Sequence, residues 1–396
     1  MASFLREVKE PGTDGLPVLS VSIHKGISDR QLSDDERDRK SLHIQDREKY
    51  RRIHPGDIAY NMMRAWQGAF GAARIEGLVS PAYVVARPTI RVEPQYLDYL
   101  LRSDLFASIA KKSSKGITDF RLRLYWEDFR KIEIDLPPLD TQRAIVDFLD
   151  SETVRIDQLI EKKQRFLGLT AKRIYALVDE AISDPTVPRL RFENVARRMQ
   201  RPVELSEYEE LVRLGLFNRG RGIFKKPAAD EEGMGDSSFF FVRDGDLILS
   251  GQFAWEGAVA LATEDEEGCV VSHRYPVFRG RDGINTAYLL GLFRSGFGDF
   301  LLNESSRGSA GRNRPLNTWR LGKEKIPIPS RELQETVDRA LVFERQLKKK
   351  TEKSITLLTE ARAALITAAV TSQIDVAIWG KQGQTDKRID AIEEAI

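Results

Sequence analysis

The chain has 396 residues, of which 41% are apolar and 31% charged, and its formal net charge is +2. This length accommodates two or three domains, and the small net charge neither indicates nor excludes a nucleic-acid partner, because the placement of positive charge matters more than its sum. The single cysteine, Cys269, excludes an internal disulfide and a thiolate metal cage. No apolar run approaches the roughly 20 residues that span a bilayer, and residues 1–11 lack a secretory pattern. We expect a cytoplasmic protein without a membrane partner.

Six short motifs occur twice in the same order, which indicates an internal duplication. The first copies are residues 18–26, 55–58, 65–69, 79–83, 96–103 and 134–142, and the second copies are 212–220, 244–247, 254–258, 271–275, 288–295 and 326–334. The offset is 189 residues from Trp66 to Trp255 and 192 residues from Val79 to Val271. We therefore expect three additional residues in the second copy, in the hairpin that contains residues 263–268.

Each copy is predicted to be a mixed α+β domain. Short runs of Val, Ile, Phe and Tyr are separated by Gly, Pro, Asn and Asp, which is typical of strands and turns. Residues 96–109 and 288–301 show the apolar spacing of matching amphipathic helices. In the second copy, residues 188–195 predict an initial strand, whereas Met1 falls just after the corresponding position. We therefore expect either that the true start lies upstream or that the first domain is trimmed.

A long helix is predicted after each domain. Prolines at 137, 138, 327 and 329 favour an extended approach, and Asp140 (or Thr141) and Ser330 are suitable N-cap residues. Apolar residues then recur every three, four or seven positions at Ile145, Leu149, Ile156, Leu159 and Phe166, and again at Val337, Leu341, Ile355, Leu358 and Leu365. This pattern, interrupted at Glu152, Lys163, Glu344 and Lys348, predicts an antiparallel coiled coil of the two helices; packing of each helix on its own domain is the alternative.

The resulting domain prediction has five segments. They are a first recognition domain at 1–138, a first spacer helix at 139–185, a second recognition domain at 186–329, a second spacer helix at 330–376 and a loose polar tail at 377–396.

This arrangement resembles the specificity subunits of type I restriction–modification enzymes. The resemblance is carried by residues 136–149, 156–163 and 326–341, where a Pro-containing segment and a Gln begin each helix, and by residues 55–71, which are similar to one subclass of target recognition domains. It implies that each domain reads one half of a split site in double-stranded DNA, with the helices setting the gap. It also implies docking of two methyltransferase (modification) subunits on the helices and later joining of a restriction translocase. The candidate docking residues are Gln142, Ile145, Leu149, Ile156, Leu159, Gln334, Val337, Leu341 and Leu358.

Candidate DNA contacts fall in equivalent regions of both copies. Positive charge is concentrated in the Gly- and Ser-containing loop after each amphipathic helix, at Lys111, Lys112, Lys115, Arg121 and Arg123 and at Arg307, Arg312 and Arg314. Such residues bind phosphates, whereas Arg, Asn and Gln can also read base edges. The candidates for base reading are Asn61, Arg64, Gln67, Gln252, Asn313 and Arg314.

Trp66 and Trp255 could stack on nucleotides, but we expect them to belong to the core. Residues 37–52 are basic but interleaved with acids, which favours a solvated helix face.

Signatures of catalysis are absent from the sequence. It has no phosphate-binding Gly-rich loop that ends in Gly-Lys-Ser/Thr and no Asn/Asp-Pro-Pro-aromatic stretch of the kind that adenine methyltransferases use on a flipped base. The histidines at 24, 43, 54 and 273 lack ligand spacing, and Asp57 and Asp246 lie in turn dipeptides. We therefore expect no catalytic residues, metal or cofactor. The alternatives are a DNA methyltransferase or nuclease with an unrecognised active site, and a coiled-coil scaffold that binds protein.

Overall fold

The computed structural model describes residues 1–23, 25–30, 47–117, 121–306 and 314–395. Within these ranges the first copy and its long helix contain β1 (Leu5–Val8), β2 (Val21–Ser22), β3 (Gly26–Ile27), β4 (Arg51–Ile53), β5 (Ile58–Asn61), β6 (Phe70–Ala72), β7 (Gly77–Val79), β8 (Tyr83–Pro88), α1 (Pro94–Arg102), α2 (Asp104–Ser113), α3 (Trp126–Phe129) and α4 (Leu139–Ser183).

The second copy and the C-terminal region continue this order. They contain β9 (Arg189–Arg191), α5 (Phe192–Val195), β10 (Ala196–Met199), β11 (Leu211–Phe217), β12 (Gly222–Ala229), α6 (Glu231–Met234), β13 (Phe239–Phe241), β14 (Leu247–Leu249), β15 (Val259–Leu261), β16 (Val270–Ser272), β17 (Val277–Gly280), α7 (Thr286–Arg294), α8 (Gly296–Glu304), α9 (Thr318–Lys323), β18 (Lys325–Pro327), α10 (Arg331–Val370), α11 (Val376–Lys381) and α12 (Gln384–Glu394).

The two copies share an antiparallel sheet of the same strand order. It is β1-β8-β5-β6 in the first copy and β10-β17-β14-β15 in the second. The inner pairs also match, because Ile58 lies opposite Ala86 and Leu247 lies opposite Phe278. Helices α1 and α7 bury equivalent apolar faces, which include Tyr96 and Tyr288. The predicted duplication of a mixed α and β domain agrees with this architecture.

The chain divides into two compact units, and each unit contains one copy together with parts of both long helices. Unit 1 comprises Met1–Lys162 and Glu352–Ile396, and unit 2 comprises Lys163–Thr351. Unit 1 therefore contains the first half of α4 and the second half of α10, and unit 2 contains the second half of α4 and the first half of α10. The two helices thus run antiparallel. The prediction of two long helices that contact each other is confirmed.

Most of the predicted apolar helix positions are buried. In unit 1 Ile145, Leu149, Ile156, Leu358 and Leu365 belong to the hydrophobic core, with Leu159 partly buried against it. In unit 2 Val337 and Leu341 of α10 join Ile174 and Val178 of α4 in the core of the second copy. The prediction is wrong for Phe166, which is 51% exposed. Helix α4 also begins one residue before the predicted N-cap Asp140, directly after the proline pair.

Equivalent tyrosines attach α1 and α7 to other parts of their own units. The Tyr96 hydroxyl donates to the carbonyl of Val370 at the end of α10 (2.9 Å), and burial raises its pKa to about 12. The Tyr288 hydroxyl donates to the carbonyl of Pro327 in β18 (2.8 Å). Burying a hydroxyl is costly unless it forms such a bond, so each tyrosine fixes the position of its helix.

The C-terminal segment 377–396 was expected to be a loose tail, and this expectation is wrong for its described residues. Most of them lie in α11 and α12, and Trp379, Ile389 and Ile392 pack against the core of unit 1. Asp386 of α12 forms an ion pair with Arg155 of α4. Tertiary packing thus orders a segment whose sequence alone is weakly patterned.

None of the helices in the described part of the chain combines the length and the apolar character that a bilayer crossing requires.

Candidate nucleic-acid interface

A buried ion pair supports the sheet of each copy at the predicted Gly-Asp turn. Asp57 accepts two hydrogen bonds from Arg87 (2.7 and 2.8 Å) and one from the backbone of His54. Its counterpart Asp246 is fully buried and binds both Arg201 (2.7 Å) and Arg279 (2.5 Å). The prediction that these aspartates serve turn formation agrees with this geometry. They are structural groups of the frame that carries the Trp motif.

Around the first turn, the ion pair of Asp57 and Arg87 continues into further charged side chains nearer the surface. Arg87 also binds Glu10 (2.8 Å), and Glu10 in turn contacts the Nε2 atom of His54 (2.7 Å). These hydrogen bonds, from Arg87 first and His54 second, hold the pKa of Glu10 below its ordinary value. The carboxylate of Glu10 therefore stays ionised and paired at neutral pH.

The Trp motif forms the same surface turn in both copies. Trp66 donates from its indole nitrogen to the carbonyl of Met63, and Trp255 donates to the carbonyl of Gln252, at 3.1 Å in each case. Both indoles are only partly buried, whereas the preceding Ala65 and Ala254 are fully buried in the two cores. The expectation that the tryptophans belong to the core is therefore wrong, since the alanines fill that space.

A basic side chain lies over each of these partly buried indoles. In the first copy it is the ammonium group of Lys111, 5.4 Å from the ring centroid of Trp66. In the second copy it is the guanidinium of Arg314, 5.0 Å from the ring centroid of Trp255. Lys111 lies on α2, whereas Arg314 lies on the loop after α8, so different residues place a cation at the same spot.

The loop after the amphipathic helix is joined to the Trp turn by an equivalent backbone bond. Leu124 donates to the carbonyl of Met62 (2.9 Å), and Leu316 donates to the carbonyl of Gly251 (2.8 Å). In the first copy, paired backbone bonds between Lys115 and Arg123, both 2.9 Å, close this loop. The fold thus brings together two sequence segments that were predicted separately to contact DNA.

The predicted basic residues of the first copy are all exposed, and they are Lys111, Lys112, Lys115, Arg121 and Arg123. Lys111 and Lys112 were predicted in the loop but lie in the last turn of α2. Lys115 is partly neutralised by an ion pair with Asp128 (2.9 Å). In the second copy Arg314 is held by the carbonyl of Ser306 (3.2 Å). The other candidates of that loop, Arg307, Arg312 and Asn313, lie outside the described residues.

The base-reading candidates differ in accessibility. Arg64 and Gln67 lie on the surface of the Trp turn and bind each other (3.2 Å), and Gln252 is exposed in the second copy. Asn61 is 8% exposed, and its side-chain oxygen accepts from the backbone of Met63 (3.0 Å). Asn61 is therefore occupied within the turn, and Arg64, Gln67 and Gln252 remain the candidates whose side chains reach the surface.

The basic stretch 37–52 differs from the predicted helix face where it is described. Residues 47–49 form a 3₁₀ turn, and residues 51–53 form β4. Arg51 and Arg52 contact Glu7 (3.5 Å) and Glu76 (2.6 Å). Residues 37–46 lie outside the described part of the chain.

Gln142 and Gln334 are buried and attach the start of each long helix to its own domain. The Gln142 side chain accepts from the backbone of Glu93 (2.9 Å) and donates to the carbonyl of Pro137 (2.8 Å). The Gln334 side chain accepts from the backbone of Asn285 (2.9 Å) and donates to the carbonyl of Pro329 (3.0 Å). With the apolar candidates Ile145, Leu149, Ile156, Val337, Leu341 and Leu358 also buried, other helix residues must form any surface for a partner.

Comparison with known proteins places this geometry in a known fold. No protein-family model matches the chain, and no curated protein matches it. A solved chain from the work described as "structural basis underlying complex assembly and conformational transition of the type I R-M system" superimposes with a TM-score of 0.58 at 16% identity, covering 94% of this chain and 98% of the other. The chain has this type I restriction–modification fold. The resemblance predicted from the sequence is confirmed at the level of the fold.

Two further solved structures match most of this chain at lower similarity. The HsdS subunit from Thermoanaerobacter tengcongensis has a TM-score of 0.46 and 16% identity, covering 93% of this chain and 97% of the other. The type I restriction–modification S subunit from M. genitalium has a TM-score of 0.47 and 12% identity, with 93% and 94% covered.

Metal-ligating side chains are not clustered in the described residues. In these ranges no group of three or more His, Cys, Asp or Glu side chains is placed to hold a metal ion. Cys269 is buried, and desolvation raises the pKa of its thiol, which disfavours the reactive thiolate.

The tip of the β11–β12 hairpin is a surface element beside the second Trp turn that the sequence analysis did not predict. Its four-residue loop reads Asn-Arg-Gly-Arg, and the two arginines were the available signal.

Proposed function

We propose that this chain is the non-catalytic, sequence-specific DNA-binding subunit of a type I restriction–modification complex. The observation that carries the proposal is the recurrence of an exposed Trp turn with a cation over its indole, at 5.4 and 5.0 Å, once in each copy of the duplicated domain. Each copy would read one half of a split site in double-stranded DNA, because two equivalent reading surfaces on one chain match a bipartite target.

Affinity and specificity have separate sources in this proposal. The exposed cations of the first loop would contact phosphates, which gives affinity without sequence information. Arg64, Gln67 and Gln252 would contact base edges, since their side chains offer paired donors or acceptors. The buried ion pairs at Asp57 and Asp246 would keep the Trp turns rigid, so that these side chains are presented in a fixed position.

Partner docking would use the helix residues that the domains leave uncovered. In unit 2 Phe166 and Leu169 of α4 and Phe343 of α10 are 51%, 54% and 57% exposed. Large apolar side chains exposed on a helix are a common mark of a protein interface. We propose that methyltransferase subunits, two per chain, contact the helices through such residues, and that a restriction translocase joins this complex.

The experiment is coexpression of the chain with the methyltransferase encoded beside it, followed by methylation mapping of the host genome. We expect one split motif with a fixed gap, and no methylation when either protein is expressed alone. The purified chain with Mg²⁺ and S-adenosylmethionine should neither cut nor methylate DNA. Activity of the chain alone would favour an unrecognised enzyme, and DNA binding that is absent or insensitive to salt would favour a protein-binding scaffold.

Docking on the helices is tested by one variant in each unit. In unit 2, Phe343→Asp should reduce copurification of the methyltransferase. In unit 1, Val154→Asp changes an exposed apolar position of α4 and tests the equivalent contact there. Copurification that is unchanged by both variants would contradict docking on the helices.

A further inference from the structure

The tip of the β11–β12 hairpin in unit 2 lies against the second Trp turn. Strands β11 and β12 pair up to Phe217 and Gly222, and residues 218–221 form the loop between them. Arg219 and Arg221 are exposed. Two cations thus stand beside the surface that is proposed to bind DNA.

Backbone bonds fix this tip to the Trp turn. Arg219 donates to the carbonyl of Glu256 (2.8 Å), and Gly220 donates to the carbonyl of Gly257 (2.7 Å). The side chain of Asn218 donates to the carboxylate of Glu256. A Cβ atom at Gly257 would lie 3.3 Å from the Cα atom of Arg219, so the two backbones touch. The tip and the turn therefore form one rigid surface.

The backbone of Arg219 occupies a conformation that its side chain does not favour. Its φ angle is +59°, and among the described residues other than glycine only Ser372 shares a positive φ. This region is unfavourable for a residue with a β-carbon, and glycine or asparagine adopts it more easily. The backbone bonds from the tip to the Trp turn hold Arg219 in this conformation.

The two arginines are held differently. Arg221 donates from Nε to the carbonyl of Asn218 (3.1 Å) and lies 5.2 Å from the ring centroid of Phe217. The guanidinium of Arg219 has no hydrogen-bond or ion-pair partner within the ranges that the structure describes. All of its donors are therefore available, on a backbone that is fixed in place.

We infer that Arg219 is a specificity-determining residue of the second copy, where it contacts a guanine in the half-site that this copy reads. The inference rests on the proposed function. A guanidinium can bind the two acceptors on the major-groove edge of guanine at once, which an ammonium cannot do. Arg221, already engaged by the loop, contacts the adjacent phosphate. The corresponding position in the first copy is Lys25, so this guanine contact is specific to the second half-site.

The test uses the chain in complex with its methyltransferase partner, assayed on duplexes that carry the mapped motif with single base pairs replaced. The wild-type complex should prefer one G·C pair of one half-site by roughly tenfold or more. Arg219→Lys keeps the charge and should lose this preference while still methylating the motif. Arg219→Asn suits the left-handed backbone, so it removes the guanidinium without straining the hairpin and should act in the same way.

The controls separate this inference from the function on which it rests. Lys25→Ala should leave that half-site unchanged, and Arg221→Ala should weaken binding to all sequences alike. If the wild-type complex methylates no split motif, the proposed function fails. If it does so, and both Arg219 variants keep every base preference of the wild type, only the inference is overturned.

Discussion

The two repeat copies have nearly identical buried frames and different exposed surfaces. Each frame contains a turn aspartate bound to arginine, a glutamine that holds the long helix and a tyrosine that donates to a distant carbonyl. At the Trp turn, by contrast, Arg64 and Gln67 of the first copy correspond to Phe253 and Glu256 of the second. Buried polar groups must keep their partners, whereas exposed ones are free to vary. The comparison teaches that a duplicated domain can retain its buried architecture while its exposed surfaces diverge.

The copies also differ in what covers their helices. Helices α11 and α12, which follow α10 in the sequence, pack on unit 1, whereas α4 is followed directly by β9 and no such helix pair packs on unit 2 among its described residues. The apolar residues Phe166 and Leu169 of unit 2 remain exposed, while their repeat equivalents Leu358 and Ala361 in unit 1 are buried. The two halves of the helix pair therefore offer different surfaces to a partner.

The largest effect is expected at the buried aspartates. Asp246→Ala should lower the free energy of unfolding of unit 2 by about 3 kcal/mol, because Arg201 and Arg279 both lose their carboxylate. Asp57→Ala should destabilise unit 1 less, since Arg87 keeps Glu10. Hydrogen exchange of the amides in β14 and β5 measures each unit separately. Equal losses of unfolding free energy in the two units would contradict this difference between the copies.

A smaller effect, equal in the two copies, is expected at the glutamines. Gln142→Ala and Gln334→Ala each remove one accepted and one donated hydrogen bond, and each should cost about 2 kcal/mol. The matched variants with Glu place a carboxylate oxygen against the proline carbonyl in a buried site, so they should destabilise each copy at least as much as alanine does. Denaturant unfolding with exchange readout checks both pairs. A large effect in one copy alone would show that the frames are not equivalent.

The next largest effect is expected on DNA affinity when exposed basic residues of the first copy are replaced. Replacing Lys112 and Arg123 with Gln should weaken binding to specific and unrelated duplexes alike. It should also reduce the slope of log affinity against log salt by about 1 for each phosphate that the loop no longer neutralises. Titrations of the methyltransferase complex at several salt concentrations measure this slope. Lys131→Gln, an exposed lysine of the same unit outside the loop, is the control and should leave the slope unchanged.

The smallest effect concerns the helices that only unit 1 carries. Arg155 holds the pKa of Asp386 below its ordinary value, so this ion pair stabilises α12 above that value and loses the contribution as the pH falls through the lowered pKa. Because both side chains are substantially exposed, Arg155→Ala should change stability by less than about 1 kcal/mol. We expect faster amide exchange in α12 at neutral pH, and no difference from wild type once Asp386 is protonated. Unchanged exchange at neutral pH would mean that the apolar contacts alone hold α12.

Sequence patterns predicted the elements whose signals are local or repeated. The prolines before residues 139 and 331 and the apolar periodicity after them placed both long helices to within a few residues of their start. The duplication followed from the spacing of the repeated motifs, and the mixed α and β character of each copy followed from its strand, turn and helix patterns. The resemblance to type I specificity subunits added the expectation of partners.

The features that sequence reasoning missed depend on tertiary contacts. Residues 376–394 are helical because Trp379, Ile389 and Ile392 find a core to pack against. Trp66 and Trp255 lie near the surface because the adjacent Ala65 and Ala254 fill the core positions. The sequence alone does not indicate which of the two neighbouring residues points into the core. Phe166 has the spacing of a buried residue but is exposed, and the role of the β11–β12 tip depends on backbone bonds to a turn some 35 residues away in sequence.

The most direct test of the account exchanges one copy and leaves the other intact. Residues 186–329 would be replaced with the corresponding segment of a homologous chain, and the chimera would be coexpressed with the methyltransferase for methylation mapping. We expect one half of the split motif to change, while the other half and its methylation persist, which also shows that the chimera folds. A motif in which both halves change, or in which neither changes, would contradict the claim that each copy reads its own half-site.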